Sequence, residues 1–493
     1  MFNYKAIFNV LGILVGLSGI AMLLAVPFSI FYGSADLTAI LYSSLGTILI
    51  GALTWLLTRK GAKSELKKRD GYLVVTLGWI SMSIIGALPY YLAKFTIGEG
   101  YPIETFTDAF FETMSGFTTT GATILGEQIE ALPHGLHFWR AMTHWIGGMG
   151  IIVLTIAILP LLGIGGMQLY AAEVPGPTPD KLTPRVKETA KRLWIIYFSL
   201  TALEMILLWL GDMNFYEALC HAMATLSTGG FSTSQASLGG FSAYSQYVVI
   251  VFMFLAGTNF ALTYFALRGK PMRLWANEEF RYYLFISLIL IGIVMGVLVY
   301  NGTYGLEESF RAAAFQVISV VTTTGFGTEA FTEWGNVLTV LFFVLMFSGA
   351  CAGSTSGGVK FVRTLLVTKN SYLELKRQIH PKAILPVRFN KKAVNQDTIS
   401  KIVAFFLIFI LLFVFGTFVM SFMTPDFSTA LGTVAATLGN IGPGIGEVGP
   451  QDAINFARIP NFGKWFLSFY MLLGRLELFT VLMLITPFFW REK

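Results

Sequence analysis

Apolar positions along the chain gather into ten runs, at roughly 8–32, 37–58, 71–94, 138–163, 193–211, 245–267, 282–300, 335–359, 401–423 and 464–489. Each is near the length of about 20 residues that crosses the hydrocarbon core of a bilayer as a helix, so ten transmembrane helices are predicted. The first two runs form a hairpin turned at Tyr32 to Asp36, which makes residues 1–69 a separate amino-terminal unit. From residue 70 onward one pattern recurs four times: a long apolar run, a shorter amphiphilic segment, a stretch rich in hydroxyls and glycine, and a second long run. The corresponding divisions are 70–167, 168–275 with its connecting loop, 276–369, and 370–493 with a cytoplasmic connection.

The short segments align without a gap. Ala109–Gly121 reads AFFETMSGFTTTG, Ala218–Gly230 reads ALCHAMATLSTGG, Ala313–Gly325 reads AAFQVISVVTTTG and Ala430–Gly442 reads ALGTVAATLGNIG. Each predicts a short helix running into an extended loop, because β-branched residues and glycine are costly in a helix interior. A glycine closing the loop can take positive φ and turn its carbonyl toward a neighbour. A backbone that dips into a membrane and returns is tolerated only where protein buries it or water lines it. Four such loops around an axis would form rings of carbonyls able to replace a cation's hydration shell. The expected ion contacts are Thr119, Thr120 and Gly121, Thr228, Gly229 and Gly230, Thr323, Thr324 and Gly325, and Asn440, Ile441 and Gly442. Either Gly229 or Gly230 is the ring glycine of the second loop; the gap-free alignment favours Gly230.

Composition fits this picture. The 493 residues are 55% hydrophobic and 13% charged, against about 25% charged in soluble domains, and mean hydropathy is +0.67. The first run is long and lacks a cleavage site, unlike a signal peptide. Cytoplasmic loops of membrane proteins carry the excess of Lys and Arg. With the amino terminus inside and sides alternating, 28 of the 34 basic residues fall inside and both termini are cytoplasmic. The net charge of +6 then reflects membrane anchoring beside lipid and a docking surface, with no nucleic acid implied.

Two further features bear on transport. SGACAGSTSGG at 348–358 interrupts a spanning run with Gly349, Gly353, Gly357 and Gly358 and with Ser354, Thr355 and Ser356. Close helix packing through small residues is one reading; a flexible loop beneath the filter that gates permeation is the other. Arg475 lies inside the last run, where a charge costs at least about 2.5–3.5 kcal/mol. Pairing with Glu477 is its structural reading, and an electrostatic barrier to cations is its functional one. Asp108, Glu112, Glu217, Glu307, Glu308 and Asp426 lie at or along the short helices, where carboxylates complement helix dipoles and would also concentrate cations.

Catalysis finds no footing. The five histidines have no metal-binding spacing, the two cysteines offer no disulfide framework, and no nucleotide fingerprint or nucleophile elbow occurs. The chain reads as a transporter rather than an enzyme, with no catalytic residue and no nucleotide of its own.

GFTTTGAT (116–123), LSTGGFST (226–233), TTTGFGT (322–328), TLGNIGPGIG (437–446), SGACAGSTSGGVKFVR (348–363) and GRLELFTVL (474–482) resemble the Trk/Ktr/HKT superfamily of potassium transporters, most of all its TrkH branch. The resemblance covers essentially the whole chain, including the amino-terminal hairpin. It implies an all-α membrane fold with four pseudo-symmetric pore repeats, K⁺ as the transported ion and as the metal bound at the filter, gating by residues 348–358 and Arg475, and residence in a bacterial inner membrane. It also implies a homodimer associated with a cytosolic nucleotide-binding regulatory ring, TrkA-like. In plant relatives a serine in place of the first-loop glycine accompanies sodium transport, so Gly121 implies potassium. The alternative is symport coupled to H⁺ or Na⁺, which would require a membrane-buried carboxylate relay.

Overall fold

A computed structural model describes residues 2–59, 68–158, 186–450 and 455–491. The molecule is built from helices; its strands are two short two-residue pairs among the described residues. Six described helices are long and apolar enough to cross a membrane: Tyr4–Phe31, Leu37–Thr58, Arg69–Ile97, Ala190–Trp209, Glu278–Tyr300 and Gln396–Met420. The pair Ala243–Ala256 and Phe260–Leu267, bent by 110°, would make a seventh.

The three remaining apolar runs are interrupted, which is why apolar length alone overcounts uninterrupted helices. His134–Ile158 contains Gly150 in a non-helical conformation (φ 70°, ψ 137°), and its run continues outside the described residues. The helix Asn336–Leu345 stops before the 348–358 loop, and Asn461–Arg475 stops at Leu476. There Glu477 and Leu478 adopt φ of 57° and 55° before Phe479–Ile485 resumes.

Apolar side chains stand exposed along Glu278–Tyr300 (Leu288, Ile289, Ile293) and Gln396–Met420 (Leu407, Ile410, Leu411, Val414). Such all-round hydrophobicity suits a lipid solvent. In the amino-terminal hairpin, glycines bring the backbones together: a Cβ on Gly51 would lie 2.4 Å from the Gly16 nitrogen, and one on Gly12 2.8 Å from the Trp55 nitrogen. Small residues at helix crossings are how membrane helices gain close contact. The hairpin also engages the first repeat. Asp36 Oδ2 accepts the Leu136 amide at 2.8 Å, and Tyr32 stacks on His134 with ring centroids 3.9 Å apart.

At the centre are four short helices, Phe106–Phe117, Phe215–Leu226, Leu306–Val321 and Phe427–Gly439, each buried over most of its length. Polar side chains cap three of them, and Gly305 precedes Leu306–Val321 with no side-chain cap. Thr105 accepts the Asp108 amide, Asn214 and Glu217 form a reciprocal capping box, and Asp426 accepts the Thr429 amide, supplying partners for first-turn donors that a helix cannot satisfy itself.

Candidate ion-permeation site

The four loops end their helices in the same way. Thr119, Thr228, Thr323 and Asn440 take left-handed conformations with φ of 50°, 55°, 58° and 54°. The next residue then donates its amide five residues back: Thr120 to the Ser115 carbonyl, Gly229 to Ala224 and Thr324 to Ser319, each at 2.9 Å, and Ile441 to Ala436 at 3.0 Å. This six-to-one bond is a standard helix stop, ordinarily with glycine at the left-handed position. Here three threonines and an asparagine hold it, at a cost of roughly 1–3 kcal/mol each. Backbone strain repeated at four equivalent positions marks a site.

The amides are thereby used inward, toward each helix, while the carbonyls are left over. Among the described residues no hydrogen-bond donor reaches the carbonyl oxygens of 119–121, 228–230, 323–325 or 440–442. Gly121, Gly230, Gly325 and Gly442 follow with φ of 81°, 82°, 79° and 92°. Gly230, rather than Gly229, is therefore the counterpart of Gly121.

The glycine contacts close a circle. A Cβ on Gly121 would fall 2.2 Å from the Gly229 carbonyl oxygen, one on Gly230 2.1 Å from that of Thr324, one on Gly325 1.8 Å from that of Ile441, and one on Gly442 2.9 Å from that of Thr120. Loop one thus meets loop two, two meets three, three meets four and four meets one. Four segments spread across 322 residues of sequence form one ring of unpaired carbonyls. The negative ends of four helix dipoles converge on it.

Hydroxyls brace the ring from behind. Thr118 and Thr120 share a hydrogen bond at 2.7 Å and Thr322 and Thr324 one at 2.8 Å. Asn440 Nδ2 donates across the loops to Thr120 Oγ1 and to the Met471 carbonyl, both at 2.9 Å.

The two faces of the ring differ. A cavity of 380 Å³ lies on the face lined by Gly121, Gly230, Arg140, Ser232, Gly327 and Glu329. Against the other face, where the left-handed residues lie, sits the 348–358 loop. Its neck is closed by parallel pairing of Ser348 with Val359 and of Gly349 with Lys360. Gly349, Gly353 and Gly358 are needed for close approach; a Cβ on Gly349 would lie 2.2 Å from the Gly357 carbonyl oxygen, and Gly353 and Gly358 have φ of 78° and 60°. The Gly357 amide donates to Thr323 Oγ1 at 2.7 Å, and Thr355 Oγ1 donates to the Leu226 carbonyl at 3.0 Å. Ser354 and Ser356 pair with each other at 2.8 Å.

Two cations hold this loop. Arg475 donates from Nη1 to the Thr355 carbonyl at 2.8 Å and from Nη2 to the Gly147 carbonyl at 2.6 Å. Lys360, which the sequence reading passed over within its motif, is buried and donates to the Ser356 carbonyl at 2.6 Å. Glu279, equally unremarked, accepts the amides of Ala352 at 2.7 Å and Val362 at 3.1 Å. Glu477 pairs with Arg363 instead of Arg475. Arg475 and Glu477 signalled themselves as charges inside an apolar run, whereas Glu279, Lys360 and Arg363 lie just outside the runs and carried no such signal.

The carboxylates near the short helices are mostly engaged. Glu112 is buried on Arg140 at 2.6 Å and accepts Thr123 Oγ1 at 2.8 Å; Asp108 pairs with Lys464 at 2.6 Å, and Glu307 with Arg311 at 3.0 Å. Glu204, within the helix Val186–Trp209, is buried with both oxygens lacking a hydrogen-bond partner. Hydropathy had absorbed it into an apolar run. Among the described residues no group of three or more His, Cys, Asp or Glu could hold a metal ion.

Comparison with known proteins agrees with this architecture. The TrkH family, described as cation transport proteins, matches residues 37–491. The Trk system potassium uptake protein TrkH of Vibrio parahaemolyticus is 40% identical over 99% of this chain and 100% of its own, and that of Escherichia coli is 40% identical with the same coverage. The Escherichia coli Trk system potassium uptake protein TrkG is 35% identical over 99% of both chains. The crystal structure of the potassium transporter TrkH from Vibrio parahaemolyticus superposes with a TM-score of 0.88 at 38% identity, covering 99% of this chain and 100% of that one. With a family match along nearly its full length, and relatives similar from end to end, the chain belongs to the TrkH family of membrane cation transport proteins.

Proposed function

We propose that this protein takes up K⁺ through the ring formed by its four loops. The observation that carries the reading is the closed circle of glycine-to-carbonyl contacts, Gly121 to Gly229, Gly230 to Thr324, Gly325 to Ile441 and Gly442 to Thr120. Carbonyls without donors, at the negative ends of four helices, offer a dehydrating cation the oxygens it loses. They supply ligand dipoles without fixed charge, so an ion can both enter and leave. K⁺ as the ion is supported by the relatives, which are named potassium uptake proteins.

In this reading the 348–358 loop is the gate. It lies across the ring face opposite the cavity, hydrogen-bonded to loop three through Thr323 and to the second short helix through Leu226. Arg475 reinforces closure twice, by its bonds to Thr355 and Gly147 and by its charge in the ion's path. Positive charge at a constriction raises the barrier to a cation. Opening requires those bonds to be exchanged, and a cytosolic nucleotide-binding ring docked on the basic inner loops is the partner expected to drive it. A homodimer in the inner membrane, with both termini in the cytoplasm, completes the proposal.

The test is cation flux into liposomes holding the purified protein alone, comparing K⁺, Rb⁺, Na⁺ and Li⁺ at equal pH on both sides. K⁺ and Rb⁺ flux well above Na⁺, driven by the ion's own gradient, is the expected result. Flux that begins only when a proton or Na⁺ gradient is imposed would overturn channel-like permeation.

A further inference from the structure

The second loop departs from its neighbours at one position. Where loops one and three have Thr120 and Thr324, each hydrogen-bonded to a hydroxyl two residues earlier, loop two has Gly229. It has no side chain with which to brace itself. Its φ is not positive, so conformation does not require glycine there.

Space does. A Cβ on Gly229 would lie 2.0 Å from Nδ1 of His144 and 2.5 Å from two of that ring's carbons. The imidazole of His144 is fully buried and occupies the volume behind this backbone. It stacks on Phe231 with centroids 3.9 Å apart and planes inclined by 10°. The guanidinium carbon of Arg140 lies 3.5 Å from the Phe231 centroid. Two planar groups that near one centroid must occupy opposite faces, so Phe231 is inserted between Arg140 and His144, one helical turn apart on His134–Ile158. Arg140 also donates to the Ser232 carbonyl at 2.8 Å. Loop two is thus gripped at 229, 231 and 232 by a helix of the first repeat.

The grip reaches the ring through one contact. The Gly229 carbonyl is the atom against which Gly121 packs. From this juxtaposition we propose that His144 is a positioning residue for ion selectivity, its ring setting how far the Gly229 carbonyl stands from the ring axis in place of the hydroxyl brace of loops one and three. The inference rests on the permeation reading above and names a residue outside the loops. Removing the ring leaves the carbonyl free to retreat or to collapse toward a smaller ion. Discrimination should suffer while permeation persists.

Relative K⁺ and Na⁺ flux in liposomes tests this with four variants of the full-length protein. His144→Ala is expected to lower the K⁺/Na⁺ ratio about tenfold, the scale of one lost packing contact in a discriminating site, and His144→Phe, which keeps a flat ring on Phe231, to hold it near wild type. The double change His144→Ala with Gly229→Thr refills the space from the loop's own side and is expected to recover the ratio. It also keeps the test open if the single alanine variant fails to fold, since a double variant as unselective as Gly121→Ser would overturn the proposal. Gly121→Ser separates the two levels of argument. A lowered ratio there with an unchanged ratio in His144→Ala overturns the positioning role alone, whereas unchanged ratios in both overturn the filter and the brace together.

Discussion

Arg475 and Thr355 are 120 residues apart in sequence and joined by a 2.8 Å hydrogen bond from the guanidinium to the backbone carbonyl. The same side chain reaches Gly147 in the first repeat. One arginine therefore ties the last repeat to the intramembrane loop and to the helix that braces loop two. Because hydrogen bonds involving a charged group are worth about 1.5–3 kcal/mol each, replacing Arg475 by Gln is expected to raise K⁺ flux of the protein alone by about tenfold. Equal or lower flux at equal reconstituted amount would remove Arg475 from the gate.

Gly121→Ser addresses the filter itself. A serine at φ 81° carries strain of roughly 1–2 kcal/mol, and its Cβ would overlap the Gly229 carbonyl oxygen at 2.2 Å. That carbonyl must move, so the K⁺/Na⁺ flux ratio is expected to fall about tenfold, the equivalent of about 1.4 kcal/mol. A wild-type ratio in this variant would contradict the assignment of the ring.

Glu204 separates permeation from coupling. An isolated ionised carboxylate in an apolar interior is expensive, and no hydrogen bond reaches this one. Glu204→Gln, neutral and of the same shape, is expected to leave K⁺ flux within about twofold and not to lower thermal stability. Loss of uptake that depends on a proton gradient would instead make Glu204 part of a coupling mechanism.

The buried Glu112–Arg140 pair has a structural consequence. Removing one partner of such a pair leaves an uncompensated charge and typically costs about 3–5 kcal/mol. Glu112→Ala should therefore lower the thermal unfolding midpoint in detergent substantially, and more than Glu307→Ala, whose carboxylate is exposed. Equal midpoints for the two variants would refute the ranking.

Asp36 sits at the turn of the amino-terminal hairpin and accepts the Leu136 amide at 2.8 Å. Burial raises its pKa, an effect opposed in part by the hydrogen bond from the Leu136 amide. A carboxylate with a raised folded-state pKa contributes stability that is present at low pH and lost as pH rises through that pKa. Wild type should consequently gain stability relative to Asp36→Asn on acidification from neutral pH, while Asp36→Ala should lose about 1–3 kcal/mol by leaving the buried Leu136 amide without its partner. A stability difference between wild type and Asp36→Asn that stays constant with pH would argue against a titrating Asp36.

Much of the membrane architecture is legible in the sequence. Apolar length, the clustering of basic residues between apolar runs and the four aligned stretches each depend on local chemistry, and a glycine that must take positive φ announces itself in the loops at Gly121, Gly230, Gly325 and Gly442. Helix breaks were less legible. Leu345 and Arg475 end helices inside apolar runs, because the interruptions are stabilised by partners such as Glu279 and Arg363 that come from elsewhere in the chain. Glu204 was hidden for a related reason: a single carboxylate barely alters the hydropathy of a twenty-residue window.

By itself the sequence determined that the chain belongs in a membrane and that four stretches share one pattern, a short segment running into a loop with backbone to offer. These follow from periodicity and side-chain chemistry within a few residues. Only the tertiary structure decided which carbonyl meets which glycine, that Arg475 bonds Thr355 and Gly147 while Glu477 takes Arg363, that Glu112 is spent on Arg140, and that an imidazole from the first repeat fills the space beside Gly229. Those pairings join residues up to hundreds of positions apart, and their identity depends on how packed helices cross, which no local pattern encodes.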